Sequence, residues 1–215
     1  MRSNELAQMV AVFNTIVEKA DESPERLTTT QKREQLQRIE QLSRMLPALT
    51  HELINDLGEH ALPDELGGRL RGALANWLRI APSEAARRVR EAADLAPRRN
   101  LTGEALPPML PHTAAGQRTG KLGSEHVKVI RAFFGRLPHC VDEVERERAE
   151  KRLARLGATF RPDELARAAE RLDLCLNPDG NFSDADRARR RGITVGPQGP
   201  DGMSSVRGWI TPEVR

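Results

Sequence analysis

The sequence predicts a mainly α-helical fold, with a long Pro/Gly-rich ordered loop and a small C-terminal β-hairpin. Ala, Leu, Arg and Glu dominate its composition, and these residue types favour helix over strand. Apolar side chains recur at intervals of three and four positions along much of the chain, which is the period of an amphipathic helix. Proline and glycine concentrate in residues 97–123 and again after residue 192, which predicts a loop in the first region and a turn between short strands in the second.

The N-terminal half contains four predicted helical segments. The first covers residues 5–20, and Thr28–Thr30 offer N-caps to a long second helix. Pro47 lies within that second segment, so we expect a kink or two abutting helices there, because proline removes a backbone donor. Residues 66–79 and 83–95 form a helical pair joined by a short proline-containing turn.

The C-terminal half alternates between loop, helix and hairpin. Residues 97–123 are predicted to be mostly ordered loop, with one short helix near 112–118. Two short β segments around a Gly/Pro turn follow within residues 192–210. The predicted helices between these two regions are one capped by Ser124, one over 142–157, one over 163–176 capped by Asp163, and a short charged one over 184–191.

Composition and charge divide the chain into three predicted regions. These are an N-terminal helical region (1–66), a helical core (67–191), and a β-hairpin followed by the start of a further helix (192–215). The first 68 residues hold 7 basic and 12 acidic side chains, and the rest of the chain holds 27 basic and 19 acidic ones. The front is therefore acidic and the remainder basic, which suits contact between the second part and a polyanion.

The composition also excludes several classes of protein. No stretch approaches the roughly 18 apolar residues of a membrane-spanning helix, and the first residues lack the apolar core of a signal peptide, so we expect a cytoplasmic protein. Cys140 and Cys175 are far apart in sequence, which is typical of reduced thiols. The five histidines form no metal-binding or catalytic motif, so the sequence predicts no catalytic residues, no metal and no cofactor.

A stripe of six apolar residues marks the long second helix. Its spacings of three and four positions come close to those of a coiled coil. The stripe predicts a self-association surface, and the alternative is a helix that packs on its own domain. We call it the leucine stripe; its members are Leu36, Ile39, Leu42, Leu46, Leu49 and Leu53.

Two helix pairs in the basic part of the chain have the spacing of a helix-turn-helix, in Leu74–Leu95 and in residues 114–134. In that motif the second helix enters the major groove of DNA, where arginine bonds to guanine edges and phosphates. Two packed helices with a solvated charged face give the same pattern, so both interpretations stay open. The basic side chains are Arg87, Arg88 and Arg90 in the first pair, and Lys121, Lys128 and Arg131 in the second.

The densest basic cluster comes just before the hairpin and consists of Arg187, Arg189, Arg190 and Arg191. It predicts a phosphate-binding edge, and the alternative is a solvated helix end with arginine near the helix C-terminus. Aromatic residues make up only 3% of the chain, so the sequence does not predict an aromatic platform for single-stranded nucleic acid.

Five motifs in order carry a family resemblance. They are Pro97–Ala115, Ser124–Ile130, Leu176–Gly180, Arg187–Gly196, and Asp201–Ser204 with Gly208 and Thr211–Glu213. Over about residues 60–215 the sequence resembles the actinobacterial 13E12-repeat proteins, whose shared region is known as domain of unknown function 222. In that family the helical region commonly precedes an HNH endonuclease module, and many members lie in repeated loci that resemble mobile elements.

The resemblance implies a non-catalytic N-terminal region of an HNH endonuclease-like protein, since the HNH module itself is absent from this sequence. The helix start at Thr211–Glu213 lies two residues before the end, so we expect a partial, truncated copy that is not an enzyme by itself. The leading hypothesis is that Arg87, Arg88, Arg90 and the cluster from Arg187 to Arg191 help to position DNA. The alternative is a helical protein-interaction or dimerisation domain that uses the leucine stripe.

Overall fold

The computed structural model describes residues 3–22, 27–100, 102–180 and 182–214. The described chain is mainly helical and has a small antiparallel hairpin near its C-terminus, which confirms the predicted fold class. It divides into two compact units, Met1–Glu40 and Gln41–Arg215.

The elements are numbered in chain order. The helices are α1 (Ser3–Glu22), α2 (Thr29–His60), α3 (Pro63–Leu66), α4 (Leu70–Leu78), α5 (Pro82–Leu95), α6 (Pro111–Arg118), α7 (Ser124–Arg136), α8 (Glu143–Gly157), α9 (Pro162–Leu176) and α10 (Asp184–Arg190). The strands are β1 (Arg98–Arg99), β2 (Ala105–Leu106), β3 (Gly192–Gln198) and β4 (Ser204–Trp209), and a 3-10 turn covers Pro212–Val214.

The first unit contains α1 and the beginning of α2. The second helix starts where the sequence predicts, because the Thr28 hydroxyl accepts a hydrogen bond from the Gln31 backbone N–H at 3.3 Å. The described side chains of α1 are all exposed, large apolar ones such as Phe13 and Ile16 among them. Helix α1 therefore contributes none of the buried apolar side chains in the described structure.

Of the two outcomes expected at Pro47, a kink or two abutting helices, the second does not occur, because α2 continues through this residue. Proline removes one backbone donor and disfavours helix at the residue before it. Burial of His51 and Ile54 further along α2 holds the second half of the helix against its neighbours. Within the helix, the Thr50 hydroxyl also donates to the Pro47 carbonyl at 2.9 Å.

Helices α6 to α9 surround the larger hydrophobic core. Phe133 and Ile130 from α7, Leu153 from α8 and Leu165 from α9 are completely buried in it, together with Leu122 from the α6–α7 connection. Full burial of one such side chain contributes roughly 1.5–3 kcal/mol. This core fixes the orientation of α7, which carries part of the site described below.

A smaller core joins α2, α4 and α5. Ile54 and Leu74 pack there against three alanines, Ala75, Ala85 and Ala92. Ala85 and Ala92 are fully buried, and their small side chains let α5 approach its neighbours closely. The opposite side of α5 is left for its charged residues.

Two helices of the second unit have N-cap residues that differ from the predicted ones. The residue that caps α7 is Gly123 rather than Ser124, and the one that caps α9 is Arg161 rather than Asp163. The Glu164 carboxylate accepts the hydrogen bond from the Arg161 backbone N–H at 3.0 Å. The predicted caps, Ser124 and Asp163, lie one and two positions inside their helices, and the carboxylate of Asp163 still interacts favourably with the helix dipole there.

The buried carboxylate of Glu150 on α8 caps helix α6 from a distance in sequence. It accepts hydrogen bonds from the backbone N–H of Thr113 at 2.6 Å, from the Thr113 hydroxyl at 2.8 Å, and from the backbone N–H of His112 at 3.2 Å. These bonds satisfy amide groups that the first turn of a helix leaves without partners.

The region 97–123 contains the predicted short helix, observed as α6, and also a small β ladder that was not predicted. Strands β1 and β2 pair antiparallel with two residues each. The side-chain oxygen of Asn100 accepts hydrogen bonds from the backbone N–H groups of Thr102 and Glu104, at 3.0 and 2.8 Å. Asn100 therefore organises the turn between the two strands.

The C-terminal hairpin pairs β3 with β4, and its register places Val195 opposite Val206 and Gly192 opposite Trp209. Gly208 lies opposite Ile193, and a Cβ at Gly208 would collide with the Gly192 carbonyl oxygen. Close approach of the two backbones therefore requires glycine at position 208.

Candidate nucleic-acid interface

Two basic surfaces in the second unit gather most of the residues that the sequence selects. The first, the α5–α7 cleft, has a volume of about 540 Å³. It is lined by Ser83, Glu84, Arg87, Arg90, Glu91, Lys128, Arg131 and Ala132. The cleft thus joins basic residues from the two helix-turn-helix-like segments, which the sequence alone presents as separate.

Two of the three predicted arginines of α5 are held by acidic neighbours. Arg87 donates two hydrogen bonds to Glu84, at 2.6 and 2.7 Å, and one to Glu91 at 2.5 Å. Arg88 donates to Glu84 at 2.9 Å. The hydrogen bonds from Arg87 and Arg88 lower the pKa of Glu84 to about 2. The charges of Arg87 and Arg88 are therefore largely balanced on the helix that carries them.

The charged network continues from α5 to α7 and α2. Arg131 on α7 donates to Asp94 at 2.6 Å and lies 3.9 Å from Glu91, which is almost fully buried. The imidazole of His51 on α2 is also buried. Burial, followed by the charges of Arg87 and Arg131, lowers the pKa of His51 to about 4. Burial, together with the charges of Arg87 and Arg131, therefore keeps His51 neutral at pH 7 and below, and both arginines line the cleft.

Arg90 and Lys128 are the lining cations with the most freedom to meet a ligand. Both side chains are exposed. Among the residues that the structure describes, Arg90 has no carboxylate within ion-pair distance, and Lys128 has only a 3.5 Å contact to the exposed Glu125. Exposed ion pairs of this kind contribute little to stability. Arg90 and Lys128 are therefore both available to bind a phosphate.

The second surface is the Trp209 pocket, with a volume of about 240 Å³ between α10 and the C-terminal hairpin. The guanidinium carbon of Arg190 lies 4.9 Å from the centroid of the Trp209 ring, within the range of a cation–π contact. The lining residues are Phe182, Asp186, Arg187, Arg190, Arg191, Trp209, Ile210 and Thr211.

The acid in this pocket, Asp186, is occupied by structural hydrogen bonds. Its Oδ2 accepts from the Ser183 hydroxyl at 2.7 Å and from the Ser183 backbone N–H at 3.0 Å. Its Oδ1 accepts from the His139 backbone N–H at 3.2 Å and from the Arg189 guanidinium. These bonds, the one from the Ser183 hydroxyl foremost, lower the pKa of Asp186. Asp186 therefore anchors α10 and fixes Arg189.

The four arginines of the predicted α10 cluster separate into two pairs. Arg187 pairs with Asp184 at 3.2 Å and Arg189 pairs with Asp186. Within the described ranges, Arg190 and Arg191 have no carboxylate at ion-pair distance, and both line the Trp209 pocket. The four arginines are therefore visible as a cluster in the sequence. The contact between Arg190 and the Trp209 ring depends on how the hairpin folds.

The leucine stripe is exposed along its whole length. Its six side chains are 38–68% accessible to solvent. The face of α2 that is buried instead includes His51 and Ile54. Among the described residues, these six side chains thus belong to neither hydrophobic core, which disfavours the interpretation of the stripe as a surface packed on its own domain.

Two further observations concern metals and membranes. Over the described ranges, no three His, Cys, Asp or Glu side chains come together in a group that could hold a metal ion. The described helices also include none with both the length and the hydropathy needed to cross a bilayer.

Together these features define a class: a basic, mainly helical domain with an α5–α7 cleft and an arginine–tryptophan pocket. The chain belongs to the family described as domain of unknown function DUF222, whose model matches residues 33–215. This match confirms the DUF222 part of the resemblance inferred from the five motifs.

The chain is similar to several mycobacterial proteins that are named as uncharacterized proteins. One from Mycobacterium tuberculosis is 55% identical over 193 residues, which cover 90% of this chain and 42% of the relative. A second from the same species is 53% identical over 189 residues, covering 88% and 45%. One from Mycobacterium bovis is 54% identical over 189 residues, covering 88% and 42%. The chain thus spans less than half the length of these relatives, and no solved structure matches it.

Proposed function

We propose that this DUF222 region binds the phosphate backbone of duplex DNA through the α5–α7 cleft, with the α10 arginines as a second contact. The observation that carries the proposal is that Arg90 and Lys128, from two different helices, line one cleft and lack strong acidic partners in the described structure. Phosphate contacts by lysine and arginine supply most of the sequence-independent affinity for DNA.

Within α5, we assign the phosphate contact to Arg90 alone, whereas the sequence gives Arg87, Arg88 and Arg90 the same role. Arg87 and Arg88 donate hydrogen bonds to Glu84. We therefore assign them a structural role in the wall of the cleft rather than contacts to DNA bases. Arg90 is exposed on the same helix, and α7 adds Lys128. The proposed contact is therefore to phosphates and positions the protein on DNA without reading its sequence.

The resemblance to 13E12-repeat proteins extends this proposal to longer relatives. In such proteins the helical region would hold DNA for an HNH endonuclease module encoded in the remaining length, within a locus that resembles a mobile element. The DUF222 region would then be a non-catalytic positioning domain. Its basic surfaces support this role, because a nuclease module gains effective concentration from a linked DNA-binding domain.

The test is duplex-DNA affinity of an Arg90→Ala/Lys128→Ala variant. We expect a loss of about tenfold and a shallower salt dependence, since about two phosphate contacts disappear. The matched control is Lys151→Ala/Arg152→Ala, which removes the same charges from exposed positions on α8 that line neither surface. Equal affinities of the two variants would contradict the assignment of the cleft.

A second function, self-association, is favoured by the exposure of the leucine stripe. Leu42→Lys or Leu49→Lys would bring a charge into an apolar seam and dissociate a dimer. Gln37→Lys adds the same charge at an exposed position on the opposite face of α2. Light scattering should show a dimer in the parent and in Gln37→Lys, and a monomer in the stripe variants. A monomeric parent would rule this function out.

A further inference from the structure

The Trp209 pocket has an open aromatic face that the described contacts leave unused. Trp209 remains 65% exposed although the Arg190 guanidinium lies over one side of the ring. The residue directly opposite on β3 is Gly192, and a Cβ at that position would meet nothing within 4 Å. The open space at Gly192 therefore lies directly across the hairpin from Trp209.

The charges around this aromatic face are mostly positive. Arg187, Arg190 and Arg191 line the pocket, and the pairing of Arg187 is with the fully exposed Asp184, at 3.2 Å, so it contributes little. The oxygens of Asp186 already accept hydrogen bonds from Ser183, His139 and Arg189. A further carboxylate nearby is that of Glu213. A hydrogen bond from Thr211 is the main cause of its lowered pKa, and the positive charge of Arg187 lowers the pKa of Glu213 further. The pocket therefore offers arginine donors to an anion next to a ring that can stack.

We propose that the Trp209 pocket binds one unpaired nucleotide, with its base stacked on Trp209 and its phosphate held by Arg187 and Arg191. This inference rests on the proposed nucleic-acid function and adds the kind of nucleotide that the second surface selects. The volume of about 240 Å³ is below the roughly 300–1,000 Å³ of drug-sized sites, so it suits a single nucleotide unit. Bases within a duplex have both faces stacked, so only an unpaired base presents a face to the indole.

The pocket also offers a way to block stacking without altering any charge. Gly192→Val would place a branched side chain directly across the hairpin from Trp209, where cross-strand side chains are neighbours and β-branched residues are favourable. Trp209→Leu removes the stacking ring and keeps an apolar side chain. Because both variants retain every arginine, they separate stacking from general electrostatic attraction.

The experiment uses the intrinsic fluorescence of Trp209 in a Trp77→Phe background, which leaves a single tryptophan. The probes are single-stranded hexadeoxyadenylate, deoxyadenosine monophosphate, and a blunt hairpin duplex whose loop is closed by a non-nucleotide linker. We expect the single strand to quench Trp209. By anisotropy of the labelled strand, both pocket variants should bind about tenfold more weakly, the scale of one base–aromatic stack. If the monophosphate quenches Trp209 with an affinity similar to that of hexadeoxyadenylate, the ligand is a free nucleotide. If the monophosphate binds much more weakly, the ligand is a nucleotide within a strand.

The outcomes separate this inference from the proposed function. Duplex binding that depends on Arg90 and Lys128, without quenching of Trp209 by hexadeoxyadenylate or by the monophosphate, would overturn the inference alone. Single-strand affinity that is unchanged in Gly192→Val and Trp209→Leu would also overturn it, and would leave the Arg190–Trp209 contact as a tie between α10 and the hairpin. Quenching without duplex binding would overturn the duplex proposal and retain the nucleotide pocket.

Discussion

Acidification tests the buried position of His51 most directly. The folded protein holds the pKa of His51 at about 4, against an ordinary value of 6.5. As the pH falls below about 6.5, the unfolded chain binds a proton at this residue while the folded protein does not. The unfolded state is therefore favoured progressively, and this contribution to stability is lost between about pH 6.5 and pH 4.

The magnitude follows from the two pKa values. Between about pH 7.5 and pH 5, the difference in proton binding at His51 should lower the free energy of unfolding by about 2 kcal/mol. Glu84, whose pKa is lowered to about 2, stays ionised in the folded protein over this range. The loss between these pH values should thus come mainly from His51.

The assay is urea unfolding followed by tryptophan fluorescence at both pH values, for the parent and for His51→Gln. The variant removes the titrating group, so it should lose about 2 kcal/mol less than the parent on acidification, whatever its own stability. His60→Gln is the matched control, because His60 is an exposed residue of the same helix. A parent and a His51→Gln variant with equal losses would refute the burial of His51 beside two arginines.

Three substitutions test the packing that positions the two surfaces. Phe133→Ala should lower the free energy of unfolding by about 3–5 kcal/mol, measured by urea unfolding, because the side chain is fully buried; a loss below 1 kcal/mol would contradict that burial. Glu150→Gln should cost about 2 kcal/mol in the same assay, since an amide cannot accept all three hydrogen bonds, and an unchanged midpoint would count against the cap. Gly208→Ala should disorder the hairpin and weaken the near-UV circular dichroism of Trp209, and an unchanged spectrum would argue against the observed register.

The sequence predicts most helices because their periodic apolar residues form the cores that the structure shows. The short helix near 112–118 was also predicted, and it corresponds to α6. Strands β1 and β2 were missed because two residues cannot display a period. The continuity of α2 through Pro47 depends on the burial of His51 and Ile54, which local preferences do not reveal.

In the two candidate surfaces, contacts within one helix could be predicted from the sequence, whereas contacts between different elements could not. Glu84, Arg87, Arg88 and Glu91 stand three and four positions apart, so the sequence contained a signal for their ion pairs. The meeting of Arg90 with Lys128 depends on how α5 and α7 pack, and no spacing encodes it. The approach of Trp209 to Arg190 likewise depends on the register of the hairpin.

The central claim is that this DUF222 region binds duplex DNA through phosphate contacts. Fluorescence anisotropy of a labelled duplex, titrated with the full chain at several salt concentrations, tests it directly. Contacts from Arg90, Lys128, Arg190 and Arg191 predict a slope of log affinity against log salt of roughly −3 to −4. Absence of binding even at low salt would contradict the claim.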